Sequence, residues 1–223
     1  MKKTDYHCHI LPGIDDGAQT PEEGAELAAS LLRWGFTSAV CTPHIVTKFR
    51  NNPQTIHAAH DVLRRELEKR NIELETVCSA EYRLVPETWP EILEKKWIMP
   101  FDGNHILIEL PITAPQRMKG IQPVTEIRRL RDMGYTPVLA HPERYAYLKD
   151  EELLELNNEG ALFQIDYTSL AGVYDIASET KAKELIARGL DSKFYGTDLH
   201  NRIYADFLDR YFHICQPFFN KDL

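Results

Sequence analysis

Short apolar runs recur along the whole sequence. Nearly every one closes on a histidine or a carboxylate, and each is followed by a longer amphipathic run. Short runs of about 4–8 residues read as buried parallel strands, and longer ones with helical periodicity as helices. The first predicted strand is Thr4 to Ile10 and the first helix Pro21 to about Trp34. Thr20 suits the N-cap, Pro21 the first helical position, and Glu22 and Glu23 the positive end of the helix dipole. Five more strands are Ser38–Cys41, Glu75–Ala80, Ile106–Ile108, Pro137–Ala140 and Ala161–Ile165, and a seventh is Lys193–Thr197. The intervening helices are Pro53 to Lys69, Trp89 to Trp97, Pro123 to Met133, Glu151 to Asn157 and Ser178 to Ala187, with a last one from Ala205 to Phe212. Seven β-then-α units follow. Parallel strands need such crossovers. At 223 residues, the chain suits one domain with a real core. The expectation is therefore a single domain over residues 1–223, folded as a distorted (β/α)7 TIM-like barrel. A doubly wound open sheet is the alternative, but it gathers ligands from fewer strands.

In a barrel of this kind the chemistry sits at the strand C-terminal ends. Nine residues stand at or just past those ends: His7, His9, Asp16, His44, Glu81, Glu109, His141, Asp198 and His200. The sixth strand ends at Asp166, which is not among them. Residues two apart on a strand share a side, so His7 and His9 reach one metal together while Cys8 points away. Glu81 and Glu109 end apolar strands, where a buried carboxylate is costly unless paired or metal-bound. Any one of the nine alone has an ordinary reading as a hydrogen-bonded residue, and it is their joint placement that points to metal. Imidazole and carboxylate without thiolate suit manganese, iron or zinc. Nine donors are too many for one ion, which implies two or three divalent ions. Clustered cations neutralise a phosphate, lower the pKa of a bridging water and stabilise both entering and leaving oxygens. An activated hydroxide attacking phosphorus in line then needs no protein nucleophile. Arg144, three residues past His141, fits a fork-like phosphate clamp or a loop-fixing ion pair. Lys48 and Phe49, with Arg50, form either a substrate-facing rim or a solvated loop. His57, His60, His105 and His213 are left out of the set. His57 and His60, one helical turn apart, read as a solvated helix face.

The net charge of −8 argues against nucleic acid as partner, because phosphate backbones call for clustered Lys and Arg. No apolar run approaches the roughly 20 residues of a membrane helix. The lysines at the start have no apolar signal region behind them, so the expected location is the cytoplasm. None of Cys8, Cys41, Cys78 and Cys215 forms a Cys-x-x-Cys pair, and none has an arginine six positions on. A zinc knuckle, a redox pair and a cysteine-dependent phosphatase loop are thereby disfavoured. Cys8, Cys41 and Cys78 read as small buried hydrophobes.

The ordered set Asp-x-His-x-His, Asp-Asp-Gly, Thr-Pro-His, Ala-Glu-Tyr, Ile-Glu-Leu, Ala-His-Pro-Glu-Arg-Tyr and Thr-Asp-Leu-His-Asn resembles the polymerase and histidinol phosphatase (PHP) superfamily. Within it, the set is most similar to the bacterial manganese-dependent protein tyrosine phosphatases of capsule and exopolysaccharide clusters. The resemblance covers nearly the whole chain. It implies three ions: one on His7, His9, Glu81 and Asp198, one on Glu81, Glu109 and His141, and one on Asp16, His44 and His200. It also implies catalytic roles for Arg144, Asp198 and His200, and phosphotyrosine on the tail of a bacterial tyrosine kinase as substrate. Relatives tend to carry a second phosphate-binding arginine beyond the last metal histidine. Position 205 here is alanine, and Arg202 is the nearest arginine. The rival expectations are a small-molecule phosphatase of the histidinol-phosphate kind and a non-catalytic metal-binding regulatory protein.

Overall fold

The computed structural model describes residues 3–113 and 115–219. Parallel strands alternate with helices throughout. Strands β1 (Thr4–Cys8), β2 (Ser38–Cys41) and β3 (Glu75–Cys78) form one sheet. Strands β4 (Glu81–Arg83), β5 (His105–Glu109), β6 (Thr136–Ala140), β7 (Leu162–Asp166) and β8 (Tyr195–Gly196) form a second. Each seam between the two sheets is spanned by an isolated parallel bridge, Cys8 to Leu199 on one side and His44 to Glu81 on the other. The result is a distorted α/β barrel.

The expected third strand divides. Through β3 the chain pairs with β2, but Ser79 hands it over: its N–H donates to the Cys41 carbonyl at 2.9 Å and its hydroxyl to the Met99 carbonyl at 2.7 Å. Glu81 therefore opens β4, which pairs with β5, instead of closing the strand before it. Counted as one bent strand, the total is the expected seven; counted by hydrogen-bonded ladders, it is eight.

The helices α1 (Pro21–Arg33), α2 (Pro53–Lys69), α3 (Trp89–Glu94), α4 (Pro123–Asp132), α5 (Asp150–Asn158) and α7 (Ile176–Ala187) lie near their expected positions. A short α6 (Tyr167–Leu170) is additional, and α8 (Arg202–Phe219) starts three residues early and runs longer than expected. Local chemistry sets the starts: Thr20 accepts from the Glu23 N–H, and Asn52 and Thr55 cap α2 reciprocally. Asp175 likewise accepts from the Ser178 N–H at α7. A cluster of buried side chains running from Cys8 to Cys215 packs helices against strands. A smaller cluster contains Val40, Phe101, Leu107, Val138, Ala140 and Phe194. Leu107 precedes Glu109 by two residues, and Leu162, packed against this cluster, precedes Gln164 by two. Strand alternation thus puts this apolar plug on the face that carries the polar site, one layer deeper.

Two glycines leave room for the first strand. A Cβ on Gly17 would stand 1.9 Å from the His9 carbonyl oxygen, and one on Gly196 2.4 Å from the His7 Cβ. Overpacking of this kind costs about 1–3 kcal/mol. We expect Gly196→Ala to lower the urea midpoint at unchanged m-value, by that amount of stability. An unchanged midpoint would show that the seam yields freely around His7.

Candidate metal centre

All nine sequence-selected donors converge. Four overlapping groups have donor atoms within 4.8 Å of one another: His9, Asp16, His44 and His200; His7, His9 and Asp198; His7, Glu81 and His141; and His44, Glu81 and Glu109. The strands explain the convergence, since each delivers its side chain at the same end of the barrel. His141 (φ 34°) and Asp198 (φ 50°) turn off their strands through left-handed backbone. This conformation costs a non-glycine residue about 1–3 kcal/mol and persists where the surroundings enforce it.

The spacing suits a shared cation better than direct hydrogen bonds. The His7 and His9 Nε2 atoms are 3.1 Å apart, and Asp198 Oδ1 lies 3.2 Å from the first and 3.4 Å from the second. Glu81 Oε2 is 3.5 Å from both Nε2 atoms and 2.9 Å from His44 Nδ1. Glu81 Oε1 is 3.1 Å from His141 Nε2. Two donors each about 2.1 Å from one ion, at octahedral to tetrahedral angles, stand roughly 3.0–3.4 Å apart. Although His44 Nδ1 is close to Glu81, the approach is not aligned for a hydrogen bond, and that buried nitrogen has no hydrogen-bond partner. The residues present therefore fit a multi-metal site by donor chemistry and by this orphaned nitrogen.

A second layer orients the donors. His7 Nδ1 lies 2.9 Å from Gln164 Oε1, and the Gln164 amide donates to Asp166 Oδ1 at 2.8 Å. His9 Nδ1 lies 2.8 Å from Asp15 Oδ2, which also accepts from the His44 N–H at 3.2 Å. Asp5 accepts from the Thr197 hydroxyl at 2.6 Å and from the His7 N–H at 3.2 Å, tying β1 to the strand that leads to Asp198. Glu109 is held by the Arg83 guanidinium. Such partners fix ring orientation and ligand basicity.

The titration behaviour follows from burial of so many acids and imidazoles together. Burial opposes a charge on His7, but Glu81 and Asp198 raise its pKa to about 10. Burial likewise opposes a charge on His9, yet Asp15 above all holds its pKa well above the ordinary value. Burial drives Glu81 upward, but His7 and His44 keep it well below the usual carboxylate range. Asp198 behaves in the same way, through His200 and His7. Burial, reinforced by His9, pushes His200 down to about 4, so it stands as a neutral donor. Without cations, protons on His7 and His9 offset the carboxylates.

Above the donors opens a cavity of about 360 Å³, whose lining includes Arg83, Ile112, Arg144 and Tyr204. Arg144 lies in it. Its Nη1 donates to Asp198 Oδ2 at 2.6 Å, and its guanidinium carbon sits 3.9 Å from the Tyr174 ring centroid. Phe49 stacks parallel to His44 with centroids 6.2 Å apart, and Lys48 lies over Phe49 at 4.5 Å. Arg202 is placed elsewhere. It is 76% exposed, pairs with Glu26 at 3.3 Å, and lines the neighbouring groove between α1 and α8. His60 Nε2 meets the Thr76 hydroxyl at 2.8 Å, and His57 is exposed.

Sequence reading missed six supports: Asp5, Asp15, Arg83, Gln164, Asp166 and Tyr174. Strand alternation carried a signal for two. Arg83 follows Glu81 by two residues, and Gln164 is the one polar residue inside the run Leu162–Ile165. Asp166, where the sixth predicted strand ends, lies beside the site although it is outside the set of nine. It is buried, 3.7 Å from Arg144 Nη1, and its pKa is pushed up to about 7 by burial and by Asp198.

Comparison with known proteins identifies the family. A family model described as capsular polysaccharide synthesis, CpsB/CapC, matches residues 3–205. The chain is 31% identical over 201 residues to the tyrosine-protein phosphatase YwqE of Bacillus subtilis, covering 88% of this chain and 77% of that one. It is 32% identical over 166 residues to the tyrosine-protein phosphatase CpsB of Streptococcus pneumoniae, covering 73% and 66%. A solved structure from work on YwqE and CpsB, there described as unique metal-dependent tyrosine phosphatases, superposes with a TM-score of 0.83. Its sequence identity is 28%, over 98% of this chain and 88% of that one. The histidinol phosphate phosphatase of Lactococcus lactis shares the fold, with a TM-score of 0.60 at 16% identity over 95% and 93% of the two chains. With the family match running from the first strand into the last helix, the chain belongs to the CpsB/CapC family of capsular polysaccharide synthesis.

Proposed function

We propose that this chain is a metal-dependent phosphomonoesterase that hydrolyses phosphotyrosine on proteins. The observation that carries the reading is the convergence of nine imidazole and carboxylate donors beneath a cavity lined by Arg144. The names of YwqE and CpsB supply the substrate class. Cations bound here would neutralise phosphate charge and activate water. Two or three ions suit the donor count, with manganese favoured and iron or zinc as alternatives. His7, His9, Glu81 and Asp198 would hold the first, Glu81, Glu109 and His141 the second, and Asp16, His44 and His200 the third.

The protein's own groups have distinct tasks. Gln164 and Asp15 aim the His7 and His9 rings, and Arg83 steadies Glu109. Arg144, braced over Tyr174, binds phosphate oxygens. Phe49 stacks on His44 with Lys48 over it, but neither is among the described residues that line the cavity. A tyrosinate leaves with a pKa near ~10, so it demands less protonation than an alkoxide. The protein substrate would be the tail of a tyrosine kinase that controls capsular or exopolysaccharide synthesis. The proposed location of the reaction is the cytoplasm. Among the described residues no helix is long and apolar enough to cross a membrane.

Chelation should abolish turnover of a phosphotyrosyl peptide, and adding manganese back should restore it. Asp198→Ala should lose metal and at least about 10²-fold in rate, on the scale of removing one transition-state stabiliser. Metal-poor Asp198→Ala protein that hydrolyses an aryl phosphate at the wild-type rate would overturn the assignment. Faster turnover of histidinol phosphate, measured side by side, would move the substrate to the small-molecule class.

Metal uptake should also release protons. The pKa of His7 is raised from 6.5 to about 10 in the metal-free fold, so it is protonated at neutral pH and must give up that proton to bind. The same raised pKa means that the proton on His7 stabilises the metal-free fold fully below about 6.5 and that this support is lost as pH climbs through about 10. Calorimetric titration with manganese in buffers of different ionisation enthalpy should show net proton release, with affinity rising with pH. Binding heats independent of the buffer would contradict this.

A further inference from the structure

The described residues that line the 360 Å³ cavity are almost all ionisable: Asp16, His44, Glu81, Arg83, Glu109, His141, Arg144, Asp198 and His200, with the amide Asn201. The remaining two, Ile112 and Tyr204, are the ones that present an aliphatic or phenyl-ring surface. Both are half-buried, so each keeps a face toward the opening. They approach from different sides of the barrel mouth. Ile112 lies three residues past the end of β5, and Tyr204 is in the first turn of α8, beyond β8. Tyr204 is not a loosely placed side chain. Its ring stands edge-on to Tyr174, with centroids 5.9 Å apart at 82°, and edge-on to His200 at 6.1 Å and 85°. Its backbone N–H donates to Asn201 Oδ1 at 3.3 Å. The ring is therefore fixed from two sides beside a metal donor.

A phosphate drawn down to the donors leaves the group it esterifies at the level of the rim. In a serine or threonine phosphate that group is a short aliphatic chain with little area to bury. In an aryl ester it is a flat ring, which gains from apolar and aromatic surfaces placed to meet it. We propose that Tyr204 and Ile112 are the aryl-binding walls of this cavity and set its preference for aromatic over aliphatic phosphate esters. The proposal rests on the phosphatase reading above and adds the residues that choose the ester.

The test reads binding without turnover. The metal-loaded protein is titrated calorimetrically with phenylphosphonate and with methylphosphonate, which share the anionic head and differ in the ring. Tyr204→Ala should reduce the phenyl-to-methyl affinity ratio about tenfold, the size of one good aromatic contact. Ile112→Ala should reduce it severalfold, and Tyr204→Phe should preserve it. Circular dichroism checks that each variant is folded, and Ile112→Ala keeps the test decisive if Tyr204→Ala is not. Equal weakening of both phosphonates, an unchanged ratio in the alanine variants, or a Tyr204→Phe loss as large as that of Tyr204→Ala would overturn the proposal. Failure of the phosphatase reading shows separately, as absence of wild-type turnover of any phosphate ester with manganese, iron or zinc.

Discussion

Glu81 is buried to 1% exposure, and four imidazoles, His7, His9, His44 and His141, stand within 3.5 Å of its two oxygens. A carboxylate stripped of water in this way needs positive charge close by. Removing the partner of a buried charge costs about 3–5 kcal/mol. Protons on His7 and His9 supply that charge in the metal-free fold, and cations would supply it when bound. The same residue also joins the two sheets. Its N–H donates to the Pro43 carbonyl at 3.1 Å, and its carbonyl accepts from the Ile45 N–H at 3.2 Å. Closure of one seam and placement of the central ligand are thus one event, which explains why the ladder breaks at Ser79 and restarts at Glu81.

The opposite seam follows the same logic. There the His9 N–H donates to the Leu199 carbonyl at 3.0 Å and the Asp198 N–H to the His7 carbonyl at 2.8 Å. Backbone bonds of the barrel therefore run through the candidate metal donors themselves. Gly17 and Gly196 lie against His9 and His7 because the chain is drawn in too closely there for a side chain. Fold stability and site geometry cannot be separated at these positions.

Much of this was legible in the sequence, for a definite reason. Strand runs such as Ile106–Ile108 and Pro137–Ala140 are short and apolar because both faces are buried, and the polar residue that ends each run marks the barrel mouth. Periodicity does not show which neighbour a strand pairs with. That is why the break between β3 and β4 stayed hidden inside one continuous extended run. Arg202 illustrates a different blind spot. Its distance along the chain from His200 suggested the phosphate pocket, but the first turn of α8 carries its side chain round to Glu26 on α1. The supporting layer was the least visible part. Asp15 beside Asp16 has the same chemistry in sequence, and only the fold assigns one to a ring nitrogen and the other to the cavity.

Asp198 joins the candidate metal donors and the proposed phosphate clamp, Arg144, into one electrostatic unit. Its two oxygens are divided. Oδ1 faces His7 at 3.2 Å, His9 at 3.4 Å and His200 at 3.4 Å, while Oδ2 accepts from Arg144 at 2.6 Å and from the Tyr174 hydroxyl at 2.8 Å. A phosphate bound by Arg144, as proposed, would compete with Oδ2 for the guanidinium. Were Arg144 the only donor there, this would leave half of a buried carboxylate unpaired. Tyr174 would prevent that, because its hydroxyl also donates to Oδ2 and its ring stacks against the guanidinium. The left-handed backbone at Asp198 points the carboxylate between the two sites, and the bonds on both oxygens hold it there.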